Sequence, residues 1–81
     1  MKNNNDLAKT IGENIKVARK LKGLTQKQIA QTFFMTQQQY SRFENGKFEL
    51  NYKQLYDICK LLDTCPNELF DFDRWKKDSK K

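Results

Sequence analysis

Three times in this 81-residue chain a capping residue is followed, three positions on, by glutamine: Thr25 by Gln28, Thr36 by Gln39 and Asn51 by Gln54. A side-chain oxygen at the first position accepts from the free N–H groups of a helix's opening turn, and the glutamine reaches back to the N–H of the cap itself. Each cap is also preceded by an apolar residue with another at the fourth helical position. These pairs are Leu24 with Ile29, Met35 with Tyr40, and Leu50 with Leu55. That spacing is the hydrophobic staple, which sets the angle at which the chain enters a helix. One such match arises by chance easily; three in the same register do not.

The rest of the chain reads as helix on the same terms. Leu7, Ile11, Ile15, Ala18 and Leu21 share one face of a first helix that stops near Gly23 and starts at Asp6 or at a Thr10–Glu13 box. A second helix spans Thr25 to Phe33 and buries Ile29, Ala30 and Phe33. A third spans Thr36 to Asn45, with Gly46 after it. A fourth spans Asn51 to Leu62, burying Tyr52, Leu55, Tyr56, Ile58, Cys59 and Leu62. A short fifth begins at Pro66, whose missing N–H is harmless at the first helical position, and carries Leu69 and Phe70. The expected organisation is an N-terminal segment or helix extension over 1–9, one domain over 10–73 and a basic tail over 74–81. The fold class is all-α.

Several function classes fall away. The chain has no histidine, so neither a Ser/His/Asp nor a Cys/His arrangement exists, and its three scattered glycines form no phosphate loop. Cys59 and Cys65 are six apart and read as reduced packing or loop residues, not as a metal or redox pair. No enzyme activity, cofactor or metal is expected. There is neither a signal-like apolar core near the start nor a membrane-length apolar run, which implies a cytoplasmic protein without membrane contact. The net charge of +6 says less than it promises: residues 74–81 hold five basic residues against Asp78, leaving +2 for residues 1–73.

The third helix is more informative than the charge. Only two residues separate Phe33 from Thr36, too few for antiparallel helices to turn round, so the second and third helices cross steeply with the small Ala30 at their approach. At 100° per residue Tyr40 and Phe43 share an inward side, while Gln38, Ser41, Arg42 and Asn45 lie roughly opposite and Gln37 flanks the first turn. An amide pairs bidentately with adenine N6/N7, and a guanidinium with guanine O6/N7. Gln39 lies nearer the core side and suits the capping role.

From about Ile11 to Phe70 the chain resembles the Xre/Cro family of phage-repressor-like helix-turn-helix proteins. The matching stretches are Gly23-Leu24-Thr25-Gln26, Gln28-Ile29-Ala30, the run from Ser41 to Lys47, and Asn67-Glu68-Leu69-Phe70. Thr36-Gln37-Gln38 looks like the opening of recognition helices in lambdoid repressors that read DNA with paired glutamines. The resemblance implies a compact five-helix bundle of the lambda-repressor-like type. It assigns base edges to Gln37, Gln38 and Arg42, and phosphates to Gln26, Thr36, Ser41, Asn45 and Lys47. Gln26 would also support the first recognition glutamine, and Arg19 with Glu44 would form an ion pair tying the first helix to the third.

Three positions depart from the family pattern. Phe34 stands in the turn where glycine is usual, Tyr40 replaces isoleucine or valine, and Cys65 replaces the serine that caps the fifth helix. The expected function is a sequence-specific regulator of transcription, a repressor binding double-stranded DNA as a homodimer on a palindromic operator. Leu69, Phe70, Phe72 and Trp75 are the candidate dimer contacts, with a core role preferred for the first two. An antitoxin that uses the tail from Asp71 to Lys81 to hold a protein partner is the alternative.

Overall fold

The computed structural model describes the backbone of residues 4–71 and the side chains of residues 7–71. Five helices follow in order: α1 (Asn4–Lys22), α2 (Gln26–Thr32), α3 (Gln37–Glu44), α4 (Tyr52–Leu62) and α5 (Pro66–Phe70). All three repeated start signals form in full. The side chains of Thr25, Thr36 and Asn51 accept from the backbone N–H of Gln28, Gln39 and Gln54, and each glutamine accepts in return from the cap N–H. Each such cap contributes about 1 kcal/mol by closing groups that the helix cannot satisfy itself. Cys65 caps α5 without any side-chain hydrogen bond, and Pro66 at the start of that helix removes one of the donors needing a partner.

Ile15, Ile29, Ala30, Tyr40, Ile58, Cys59, Leu62 and Leu69 form one core, with Leu24, Phe33, Met35, Phe43, Leu50 and Leu55 packed against it. Thus all three staple pairs touch the core and aim their helices at it. α1 packs on α3 and α5, while α2 packs on α3. α5, only five residues long, is held by Leu69 in the core and by Asn14 of α1. The Asn14 amide donates to the carbonyl oxygens of Leu69 (2.8 Å) and Glu68 (3.3 Å). No helix among the described residues is long and apolar enough to cross a membrane.

Three expectations need correction. α1 begins at Asn4, upstream of both proposed starts, so Asp6 and Thr10 lie inside the helix. Leu7 and Leu21 are exposed, because the buried stripe of α1 is Ala8, Gly12, Ile15 and Arg19, rotated roughly 90° from the apolar-weighted face at 100° per residue. On α4, Tyr52 and Tyr56 face outward; the core takes Ile58, Cys59 and Leu62 from the neighbouring side. Tyr56 instead lies under the Lys60 ammonium, 5.3 Å from the ring centre. Leu69 is buried in the core, the role preferred for it in the sequence. Phe70 is half-buried, while Phe72, Trp75 and the basic tail lie outside the described residues.

The α2–α3 turn is strained at the expected place. Phe34 has φ +57°, in the left-handed region, and its side chain is 98% exposed. A non-glycine residue there costs about 1–2 kcal/mol, and this one recovers nothing by packing. Asparagine visits that region readily and avoids glycine's entropy in the unfolded chain. Phe34→Asn therefore raises stability by about 0.5–1 kcal/mol, a few degrees of melting temperature by circular dichroism. An unchanged or lower melting temperature would show the turn to be unstrained.

Candidate nucleic-acid interface

α3 is amphipathic in chemistry as well as polarity. Tyr40 and Glu44 are buried and Phe43 is half-buried, whereas Gln37, Gln38, Arg42 and Asn45 are exposed and Ser41 is intermediate. Phe43 meets Phe48 edge-to-face at 6.5 Å, and the Arg42 guanidinium lies 5.4 Å over the same Phe48 ring. The exposed arginine is thus held against an apolar surface, which lowers the entropy it loses when it engages a ligand. The Asn45 amide donates to the Ser41 hydroxyl at 3.3 Å. Beyond the helix, Gly46 at φ +74° turns the chain, Lys47 N–H donates to the Arg42 carbonyl at 2.9 Å, and the Lys47 side chain reaches solvent.

The acid on α3, Glu44, is turned inward. Its carboxylate accepts from Arg19 Nε (2.6 Å) and Nη2 (3.3 Å), and from Gln26 Nε2 (3.0 Å). Arg19 Nη1 donates to the Leu24 carbonyl at 2.9 Å, so the guanidinium joins α1, the turn after it and α3. The two side chains keep 10% and 1% of their exposure. Burial alone would raise the Glu44 carboxyl, but the hydrogen bonds from Arg19 and Gln26 outweigh it and hold the group below its ordinary value. Glu44 in turn raises Arg19 above its ordinary value against the opposing effect of burial. The buried Tyr40 hydroxyl sits against this pair without an aligned partner among the described residues. Burial first, and then the Glu44 carboxylate, push its ionisation far up, so it stays neutral.

Gln26, at the first position of α2, joins this network to the outer surface: its Oε1 accepts from Gln37 Nε2 at 3.4 Å. The residues singled out in sequence therefore fall into two groups. Gln26, Gln37, Arg19 and Glu44 are linked by hydrogen bonds. Gln38, Ser41, Arg42, Asn45 and Lys47 lie along the exposed side of α3 and just past its end. Thr36 caps the helix with its hydroxyl.

Two contributors escaped the sequence reading. Gly12 lies where α1 meets the end of α3: a Cβ there would stand 2.5 Å from the carbonyl oxygens of both Phe43 and Glu44. Phe48 supports Arg42 and Phe43. Neither belongs to a spacing pattern within its own segment, so local periodicity could not reveal them.

The helix-turn-helix domain family matches residues 12–71, which is most of the chain and contains every element that builds this surface. The chain belongs to that family. It is also 41% identical over 51 residues to an uncharacterized HTH-type transcriptional regulator, YqaE, of Bacillus subtilis strain 168. The aligned part is 63% of this chain and 44% of that relative, so the chain matches less than half of the relative's length. No solved structure matched. Within a helix-turn-helix domain α2 and α3 are the two-helix unit, and α3 is its second helix.

Proposed function

We propose that this protein is a sequence-specific double-stranded DNA-binding regulator of transcription, a repressor that acts in the cytoplasm as a homodimer on a palindromic operator. The observation that carries the reading is the exposed side of α3. It offers amides, a hydroxyl and a guanidinium, while the one carboxylate of the helix is buried against Arg19. An exposed acid there would repel phosphates. Gln37, Gln38 and Arg42 are the base-reading side chains, and Gln26, Thr36, Ser41, Asn45 and Lys47 are the phosphate contacts. In a dimer two such helices enter successive major grooves about 34–36 Å apart.

Binding weakens steeply with added salt, because phosphate contacts release condensed counterions. The test is a gel shift with selection from random duplex DNA at modest salt. Enrichment of a palindromic sequence is expected, and no enrichment overturns the reading. The division of labour has its own test. Gln38→Ala relaxes preference at one base pair by about 1–3 kcal/mol. Lys47→Ala weakens all sequences alike and reduces the salt slope by about one. Identical behaviour of the two variants in competition binding would show that base and phosphate contacts are not divided in this way.

A further inference from the structure

We propose that the apolar cavity between α1, the end of α3 and α5 is the seat of this chain's own C-terminal segment, with the indole of Trp75 as its occupant. The cavity has a volume of about 240 Å³. It is lined by Leu7 and Ile11 of α1, Phe43 of α3, Phe48 of the loop after it, Leu55 of α4 and Phe70 of α5. One side is open to solvent, where Leu7 and Phe48 keep about half of their exposure. An apolar cavity of about 150 Å³ accepts a benzene ring, so this one has room for the larger indole. Covering its wall removes apolar surface from water, and an aromatic ring covers the most for a single side chain.

The occupant follows from position, reach and charge. Phe70 lines the cavity itself, so the segment leaves the fold at the cavity's edge. Asp71, in the left-handed region at φ +54°, turns the chain off the α5 axis. Ten residues of the sequence follow it, and Trp75 lies five past Phe70, a span of up to about 17 Å. The one charged residue of the lining is Glu49, which is exposed. Trp75 is flanked by Arg74, Lys76 and Lys77, whose charges complement that carboxylate. Phe72, the other aromatic residue of the segment, lies between Asp71 and Asp73 and would bring like charge to Glu49.

The seat reaches α3 through Phe48, whose ring meets Phe43 edge-to-face and lies 5.4 Å from the Arg42 guanidinium. An indole packed against Phe43 and Phe48 therefore completes an apolar layer that runs from α5 to an exposed side chain of α3. It also holds the basic residues around Trp75 beside the end of α3. The seat is independent of what α3 binds.

Trp75 is the sole tryptophan of the sequence, so its fluorescence in the full chain reports the seat directly. Its emission is expected to lie to the blue of the urea-unfolded protein, with acrylamide quenching several-fold weaker and unchanged on dilution. Leu7→Lys places an ammonium at the open side of the cavity, and Glu49→Lys reverses the charge that meets Arg74, Lys76 and Lys77. Both positions are exposed, so neither substitution cuts into the core. Each is expected to raise quenching toward the unfolded level while circular dichroism shows the helices kept. Leu21→Lys, on the separate groove lined by Val17, Leu62 and Leu69, is expected to leave quenching as in the wild type. Wild-type quenching at the unfolded level overturns the proposal, and so does unchanged quenching in both folded cavity variants. Protection lost in Leu21→Lys and kept in Leu7→Lys overturns it in favour of the other groove. Protection that disappears on dilution overturns it too, by making a second copy the occupant.

Discussion

Replacing Glu44 with alanine is expected to destabilise the protein by about 3–5 kcal/mol, because it leaves the Arg19 guanidinium buried without its carboxylate. Domains of this size commonly have total stabilities of about 5–15 kcal/mol, so the variant stands near the edge of folding. Urea denaturation followed by circular dichroism reads the loss directly; a cost below about 1 kcal/mol would place the pair with ordinary exposed ion pairs. Removing both charges, as in Arg19→Met with Glu44→Met, is expected to recover much of the loss, since the penalty comes from the unpaired charge. The pair also makes stability depend on pH. The folded state holds the Glu44 carboxyl below its ordinary value, so its contribution is complete above that value, near 4.5. It is then lost as pH falls through the lower, folded-state value. Glu44→Gln flattens this acid limb while leaving the neutral-pH baseline free of titration.

The second large effect belongs to Gly12→Ala. The new Cβ would stand 2.5 Å from the backbone oxygens of Phe43 and Glu44, and backbone, unlike the end of a long side chain, cannot swing aside. α1 must then lift from the end of α3, which strains the Arg19–Glu44 pair two helical turns away on the same stripe. A loss of about 3 kcal/mol is expected, at the upper end for overpacking. Gly23→Ala is the control. Nothing lies within 4 Å of its Cβ, and the cost is the φ of +75° alone, about 1 kcal/mol. Equal melting temperatures for the two variants would mean that the α1–α3 approach is looser than these distances state.

These two positions also mark where sequence reading stops. The hydrophobic pattern of α1 points to Leu7, Ile11, Ile15, Ala18 and Leu21, but of these only Ile15 is fully buried, and beside it the chain buries Ala8, Gly12 and Arg19. A residue without a side chain and a charged one do not register as core by hydropathy. Glycine is buried here because a backbone must come close, and arginine because a carboxylate on another helix neutralises it. α4 repeats the lesson, since Tyr52 and Tyr56 are apolar enough to be read as core but are exposed. The ion pair itself was legible only through likeness to a family, and the approach at Gly12 not at all.

What the sequence determined by itself rests on neighbours within five residues. The caps at Thr25, Thr36 and Asn51 lie where their spacing placed them, and so do the staples and the division of α3 into a Tyr40–Phe43 side and a Gln38–Arg42 side. Local hydrogen-bond geometry and helical pitch suffice for these. The tertiary structure alone decided the azimuth at which α1 meets α3, the support of Arg42 by Phe48, the anchoring of α5 by Asn14, and the hydrogen bonds that join Glu44 through Gln26 to Gln37. Each brings together groups on separate elements. Their distances follow from how closely two backbones pack, and no periodicity within a single helix encodes that.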